Sequence, residues 1–158
     1  MQLWLVRHAV AMEREEFSGA DEERPLTEKG RNQFRDFADW LASHTTAPTV
    51  IVTSPVLRAT QTADIFRKAF SLKKKDVVVA ETLSPGAEAR LMLELAQQPT
   101  GDVVAFVGHE PDFSRALSQF VGGGAFTFGK GFVAAIEFTN ELSLGSGSLQ
   151  WFVGPKLK

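Results

Sequence analysis

The amino-acid sequence predicts an α/β fold, a three-layer α/β/α sandwich with a mostly parallel central sheet and an antiparallel edge at the C-terminal end. Two observations predict it. Short β-branched or apolar runs recur along the chain, and segments with helical spacing separate the first five of them. Such an alternation argues for parallel strands covered by helices on both faces.

The runs read as strands are Leu3 to Val6, Val50 to Thr53, Val77 to Ala80, Val103 to Val107, Phe132 to Phe138 and Leu149 to Val153. The last two have no helix between them and read as an antiparallel hairpin joined across Asn140 to Gly147. The first helix runs from about Thr27 to His44, with Thr27 as N-cap and Phe34, Phe37, Ala38 and Leu41 on one face. A second is expected to start at Ser54-Pro55, where Ser can cap and Pro suits the first helical position, and to turn Ala59, Ala63, Phe66 and Phe70 inward. A third, from about Ala87 to Gln97, is expected to bury Leu91 and Leu95. The fourth begins near Pro111, places Phe113, Leu117, Phe120 and Val121 on one stripe, and stops at Gly122 to Gly124. His44 reads as a partner for a helix dipole, the three tryptophans as packing residues, and Lys73 to Lys75 as a solvated loop.

With 158 residues and 44% hydrophobic content, the chain fits a single domain over 1–158 with one sizeable core. Its net charge of -2, from 17 basic and 19 acidic side chains, argues against a general binder of nucleic acid or acidic membrane. Any anion site must therefore be built locally. The absence of cysteine excludes disulfides, thiolate catalysis and thiolate metal sites. The opening MQLWLVRHA has no basic residue before its short apolar run, which fits a strand better than a signal peptide. A cytoplasmic monomer without nucleic-acid or membrane partners is expected.

In an open α/β sheet, ligands bind beyond the carboxyl ends of the parallel strands. Arg7 and His8 follow the first strand, Ser54 and then Arg58 the second, Glu81 the third, and Gly108 and His109 the fourth. Singly, each has an ordinary reading: a hydrogen-bonded structural histidine, a solvated helix arginine, a surface carboxylate. Together, two guanidiniums and two imidazoles suit a tetrahedral dianion, because arginine presents rigid forks of donors and stays charged. A helix starting at Ser54-Pro55 would add free N–H groups and its positive dipole end. Metal binding is the competing use of two histidines, but the adjacent arginines would repel a divalent cation and no dense carboxylate cluster accompanies the pair. No metal and no cofactor are expected.

At these positions the chain resembles the histidine phosphatase superfamily, whose fold is phosphoglycerate mutase-like. LVRHA is similar to its N-terminal Arg-His signature, RPLTEKG to the segment opening its first helix, TSPVLRATQT to the block holding its second arginine, and VGHEP to its second-histidine motif. The short length, the RPLT at Arg24 to Thr27 and the lack of large insertions look most like bacterial SixA-type phosphohistidine phosphatases. The resemblance implies a phosphatase that hydrolyses a phosphomonoester or phosphoramidate through a covalent phosphohistidine on His8. Arg7, Arg58 and His109 would hold the three equatorial oxygens, with His109 as a donor and a cationic form open to it. An acceptor on the other ring nitrogen of His8 should fix the tautomer that attacks.

Two departures from the family pattern stand beside the signature, Ala9 where Gly is common and Ala11 where a hydroxyl or amide is frequent. Glu81 is the candidate general acid, with a structural charge as the alternative. Arg24 reads either as a third charge near the phosphate or as a loop anchor, and Ser54 either as a helix cap or as a phosphate ligand. The resemblance points to a phosphohistidine-bearing protein as substrate; if Glu81 is not an acid, a phosphorylated imidazole is the more tolerable substrate, since its leaving nitrogen needs less protonation help than an alkoxide. The alternatives are a phosphatase of small phosphoesters and a non-catalytic phosphate-binding module.

Overall fold

A computed structural model describes residues 1–155, so the last three positions of the expected domain lie outside the described residues. Six strands form one sheet: β1 (Gln2–Arg7), β2 (Val50–Thr53), β3 (Val77–Val79), β4 (Val103–Gly108), β5 (Val133–Glu137) and β6 (Ser148–Val153). Their spatial order is β3-β2-β4-β1-β5-β6. The first four are parallel, while β5 runs antiparallel to β1 and β6 antiparallel to β5, which is the expected C-terminal edge. Four α-helices cover the sheet: α1 (Glu28–Ala42), α2 (Leu57–Ala69), α3 (Ala89–Ala96) and α4 (Asp112–Phe120). No helix among the described residues is long and apolar enough to cross a membrane.

The central strands are apolar at nearly every position because both faces are covered. Trp4 and Val6 of β1 enter a core with Phe34, Phe37 and Leu41 of α1 and Ala59, Ala63 and Phe66 of α2. Leu3 and Leu5 enter a second core with Met92 and Leu93 of α3 and Phe113, Leu117 and Phe120 of α4. Each fully buried large side chain contributes about 1.5–3 kcal/mol relative to exposure. Trp4 anchors the first core through edge contacts with Phe66, Phe70 and Trp151 at centroid distances of 6.3, 5.8 and 5.0 Å.

Thr27 caps α1 as expected, its Oγ1 accepting from the Gly30 N–H at 2.9 Å. The same helix start docks on the segment after β1, where the Thr27 N–H donates to the Val10 carbonyl at 3.0 Å. A Cβ at Gly30 would overlap that Val10 oxygen, so this helical glycine is required by close approach. Beyond the end of α1, His44 Nδ1 pairs with the Trp40 carbonyl at 2.7 Å.

Two helix expectations need correction. Helix α2 begins at Leu57, not at Ser54-Pro55, and its N-cap position, Val56, makes no side-chain cap. The Ser54 hydroxyl is drawn instead to a partner just past the end of β4, described below. Helix α3 buries Ala89, Met92, Leu93 and Ala96, whereas Leu91 is 45% exposed and Leu95 only half-buried. Apolar residues at 91, 92, 93, 95 and 96 surround this short helix, and packing against α4 selects the 92–93–96 face.

Candidate active site

Strand register assembles the site. Arg7 of β1 pairs directly with Gly108 of β4, so His8 and His109 each stand one residue beyond that pair. The His8 N–H donates to the Gly108 carbonyl at 3.0 Å, and the Ser54 N–H, on the other side of β4, donates to the Val107 carbonyl at 3.0 Å. Ser54, His109 and His8 therefore form a row across three neighbouring strand ends. The two imidazole centroids lie 5.4 Å apart.

His8 is 7% exposed, and its Nδ1 lies 2.8 Å from the carbonyl oxygen of Ala9. A carbonyl only accepts, so Nδ1 carries the proton and Nε2 keeps its lone pair. That acceptor, which sequence alone did not name, belongs to the adjacent residue. The Ala9 N–H is held in turn by Thr62 Oγ1 at 3.0 Å, and the Thr62 hydroxyl donates to the Arg58 carbonyl at 2.7 Å. Burial above all drives the His8 pKa down to about 3; the Ala9 hydrogen bond opposes this, and the charges of His109, Arg58 and Arg7 add to it.

His109, 3% exposed, places Nε2 2.8 Å from Ser54 Oγ. Burial first, then the charge of Arg58, outweighs the opposing attraction of Asp21 and lowers its pKa to about 4. The unliganded protein therefore holds His109 neutral, and the cationic form left open by the sequence is not the resting state. Arg7 donates from Nη1 to the Phe128 carbonyl at 2.7 Å. Arg58, 5% exposed, donates from Nη1 to the Asp21 carbonyl at 2.9 Å and from Nη2 to Asp21 Oδ2 at 3.2 Å. Among the described residues, three buried side-chain polar atoms lack a hydrogen-bond partner: Arg7 Nε, Arg58 Nε and His109 Nδ1. All three belong to this site.

The remaining candidates sit around the four. Arg24 donates to Asp21 Oδ1 at 3.1 Å and to the Met12 carbonyl at 2.6 Å, which makes it an anchor of the loop beside Arg58. Ser54 is fully buried and binds His109, with the Val56 N–H donating to its Oγ at 3.3 Å. Glu81 lies exposed on a single 3-10 turn, its carboxylate accepting from the Ser84 hydroxyl at 3.1 Å. It shares with Asp21, Val56 and Pro55 the lining of a cleft of about 580 Å³ beside Arg58. Asp21 was not foreseen. Burial works to raise its pKa, but the hydrogen bond from Arg24 and the charges of Arg58, Arg24 and Arg14 hold it below its usual value. The ADEER run announced acidity there without singling out which carboxylate turns toward an arginine. Among the described residues no three histidine, aspartate or glutamate side chains gather as metal ligands.

A mixed sheet whose parallel strand ends bring together two neutral histidines, the half-buried Arg7 and the buried Arg58 defines a phosphoryl-transfer protein. The chain belongs to the histidine phosphatase superfamily (branch 1), whose family model matches residues 3–84, and it is a phosphatase. An uncharacterized protein of Picosynechococcus sp. is 34% identical over 73% of this chain and 70% of its own length. The phosphohistidine phosphatase SixA of Escherichia coli is 27% identical over 98% of this chain and 94% of its own. Among solved structures, the protein histidine phosphatase SixA complexed with tungstate covers all of both chains with a TM-score of 0.88 at 25% identity. Its fold is the six-stranded phosphoglycerate mutase-like sandwich described above.

Proposed function

We propose that this phosphatase works through a phosphohistidine formed on His8 Nε2 and takes a phosphorylated histidine of another protein as its substrate. The carrying observation is the Nδ1 hydrogen bond to the Ala9 carbonyl, which leaves Nε2 unprotonated beside Arg7, Arg58 and His109. Nε2 attacks phosphorus, the bond from phosphorus to the leaving nitrogen breaks, and the phosphoryl group is carried by His8. Water then attacks the same phosphorus, releasing inorganic phosphate and returning Nε2 to its free state. Arg7, Arg58 and the His109 ring stabilise the charge that grows on the equatorial oxygens in both steps.

The choice of leaving group follows from the carboxylates nearby. Asp21, engaged by three arginines, is held ionised and is a poor proton donor. Glu81 is exposed and turned onto Ser84. A phosphorylated imidazole that carries a proton on its other ring nitrogen leaves as a neutral ring when the bond to phosphorus breaks, so it suits this site better than an alkoxide, which needs a proton delivered. The E. coli relative named for phosphohistidine phosphatase activity supports the same reading. In this reading Arg24 acts through Asp21, orienting Arg58, and Glu81 is a charge at the rim.

A panel comprising a phosphohistidine protein, p-nitrophenyl phosphate and sugar phosphates tests the substrate class by kcat/KM. Preference for the phosphohistidine protein is expected, and preference for the esters would defeat the substrate assignment. Acid-labile, base-stable labelling of the chain by a phosphodonor, absent in His8→Ala, is expected for the intermediate. No label and no turnover would favour a binding module instead.

A further inference from the structure

We propose that Ser54 sets the tautomer of His109: its buried hydroxyl donates to Nε2, so that the ring proton resides on Nδ1 and Nδ1–H becomes the donor offered to a phosphoryl oxygen. The inference rests on the reading that His109 holds the phosphoryl group. It assigns Ser54 a positioning role in place of the cap or direct phosphate contact expected from the sequence.

Hydrogen-bond accounting carries it. Ser54 is fully buried, and its Oγ has two neighbours within hydrogen-bond distance, the Val56 N–H at 3.3 Å and His109 Nε2 at 2.8 Å. The Val56 N–H only donates, so the hydroxyl proton of Ser54 has one acceptor available, the Nε2 lone pair. If Nε2 instead carried a proton and donated to Ser54, the buried hydroxyl proton would have no acceptor. Nδ1, which has no protein partner, would then be a bare lone pair. That arrangement leaves two buried groups unsatisfied, and it turns a lone pair toward an oxyanion. With Ser54 donating, one group is left, the Nδ1–H, and a phosphoryl oxygen is the acceptor it lacks. A doubly protonated ring would strand the Ser54 hydroxyl in the same way.

The row of strand ends explains why serine can do this. Ser54 Oγ sits at the end of β2, His109 at the end of β4 and His8 at the end of β1, so His109 is reached from one side by the serine and faces the nucleophile on the other. The two histidines are thus set in the same tautomer, with the proton on Nδ1, for opposite purposes. In His8 the Ala9 carbonyl removes the proton from the reacting face, and in His109 the Ser54 hydroxyl places one on it.

Nitrogen-15 chemical shifts of the imidazoles, measured at neutral pH on the full chain without substrate, read the tautomer directly. His109 is expected to show a pyrrole-type Nδ1 and a pyridine-type Nε2, and Ser54→Ala to move Nε2 toward the pyrrole type. A pyrrole-type Nε2 in the unsubstituted protein would overturn the assignment. A kinetic arm uses geometry: the amide nitrogen of asparagine falls where Nδ1 was, and that of glutamine where Nε2 was. His109→Asn should therefore retain kcat toward p-nitrophenyl phosphate about tenfold better than His109→Gln, the worth of one well-placed hydrogen bond. Ser54→Ala should lower kcat while leaving the His109→Asn variant little changed, and a glutamine variant superior to asparagine would refute the donor atom. Absent turnover in the unsubstituted chain would count against the phosphatase reading, whereas the nitrogen shifts still decide the tautomer.

Discussion

The protein should lose stability between pH 7 and pH 5 because of His8 and His109. Unfolded, an imidazole titrates near 6.5; folded, burial brings His8 down to about 3 and His109 to about 4. The folded state thus binds fewer protons than the unfolded state across this window, and stability rises with pH there. The contribution is fully present above the unfolded pKa of 6.5 and is lost as the pH falls toward the folded values. At pH 5 each histidine is protonated in the unfolded chain and almost unprotonated in the folded one. Relative to pH 7, each costs about 2 kcal/mol, or about 4 kcal/mol for the pair. Urea unfolding at the two pH values and constant ionic strength, in buffer without phosphate, measures the difference. The His8→Asn, His109→Asn double variant should lose most of this pH dependence whatever its absolute stability, while exposed His44 remains in both proteins as a control. Equal pH dependence in the two proteins would refute the account of the two histidines as buried, neutral groups.

Three further outcomes follow from particular contacts. His8→Ala should abolish turnover yet keep a cooperative urea transition, because the ring lies at a strand end and outside both apolar cores. Met92→Ala should cost about 2–5 kcal/mol by urea unfolding, whereas Leu91→Ala on the exposed face of α3 should cost about 0.5 kcal/mol or less. Gly30→Ala, which in an open helix would stabilise by about 1 kcal/mol, should instead lower the thermal midpoint, since the added methyl meets the Val10 carbonyl.

What could be read from the sequence was set by local chemistry, and what escaped it was set by contacts across the sheet. The apolar runs of β1 and β4 announced central strands because both faces of each are buried, and the structure extends them by one residue or so to Arg7 and Gly108. Thr27 was legible as a cap because its partner, Gly30, lies three residues away. Ser54 misled for the opposite reason: Ser-Pro reads as a helix start, but the hydroxyl is claimed by His109, 55 positions on. The phase of α3 was illegible because apolar residues nearly encircle it, so only the approach of α4 could choose a face. Asp21 could not be separated from Glu22 and Glu23 without knowing where Arg58 points. The positions of Arg7, His8, Arg58 and His109 at one edge were inferable because strand ends in a parallel sheet share an edge. Their hydrogen-bond partners, Phe128, Ala9, Asp21 and Ser54, were not.

The same logic shows how a core residue governs the site. His8 and His109 meet because Arg7 pairs with Gly108, so the offset of β1 against β4 decides where His8 stands. In a strand with one apolar face, alternation alone would fix that offset, but β1 is apolar on both, with Leu3 and Leu5 on one side and Trp4 and Val6 on the other. Size must then do what polarity cannot. Trp4 fits among Phe66, Phe70 and Trp151, a space that Leu3 or Leu5 would leave largely empty. A slip by one residue would expel the indole to the opposite face and displace His8 by about 3.3 Å along the strand, the rise per residue. The displaced imidazole would lose its place beside Gly108, the residue paired with Arg7. The indole four residues before His8 thereby holds that imidazole in register with Gly108 and His109.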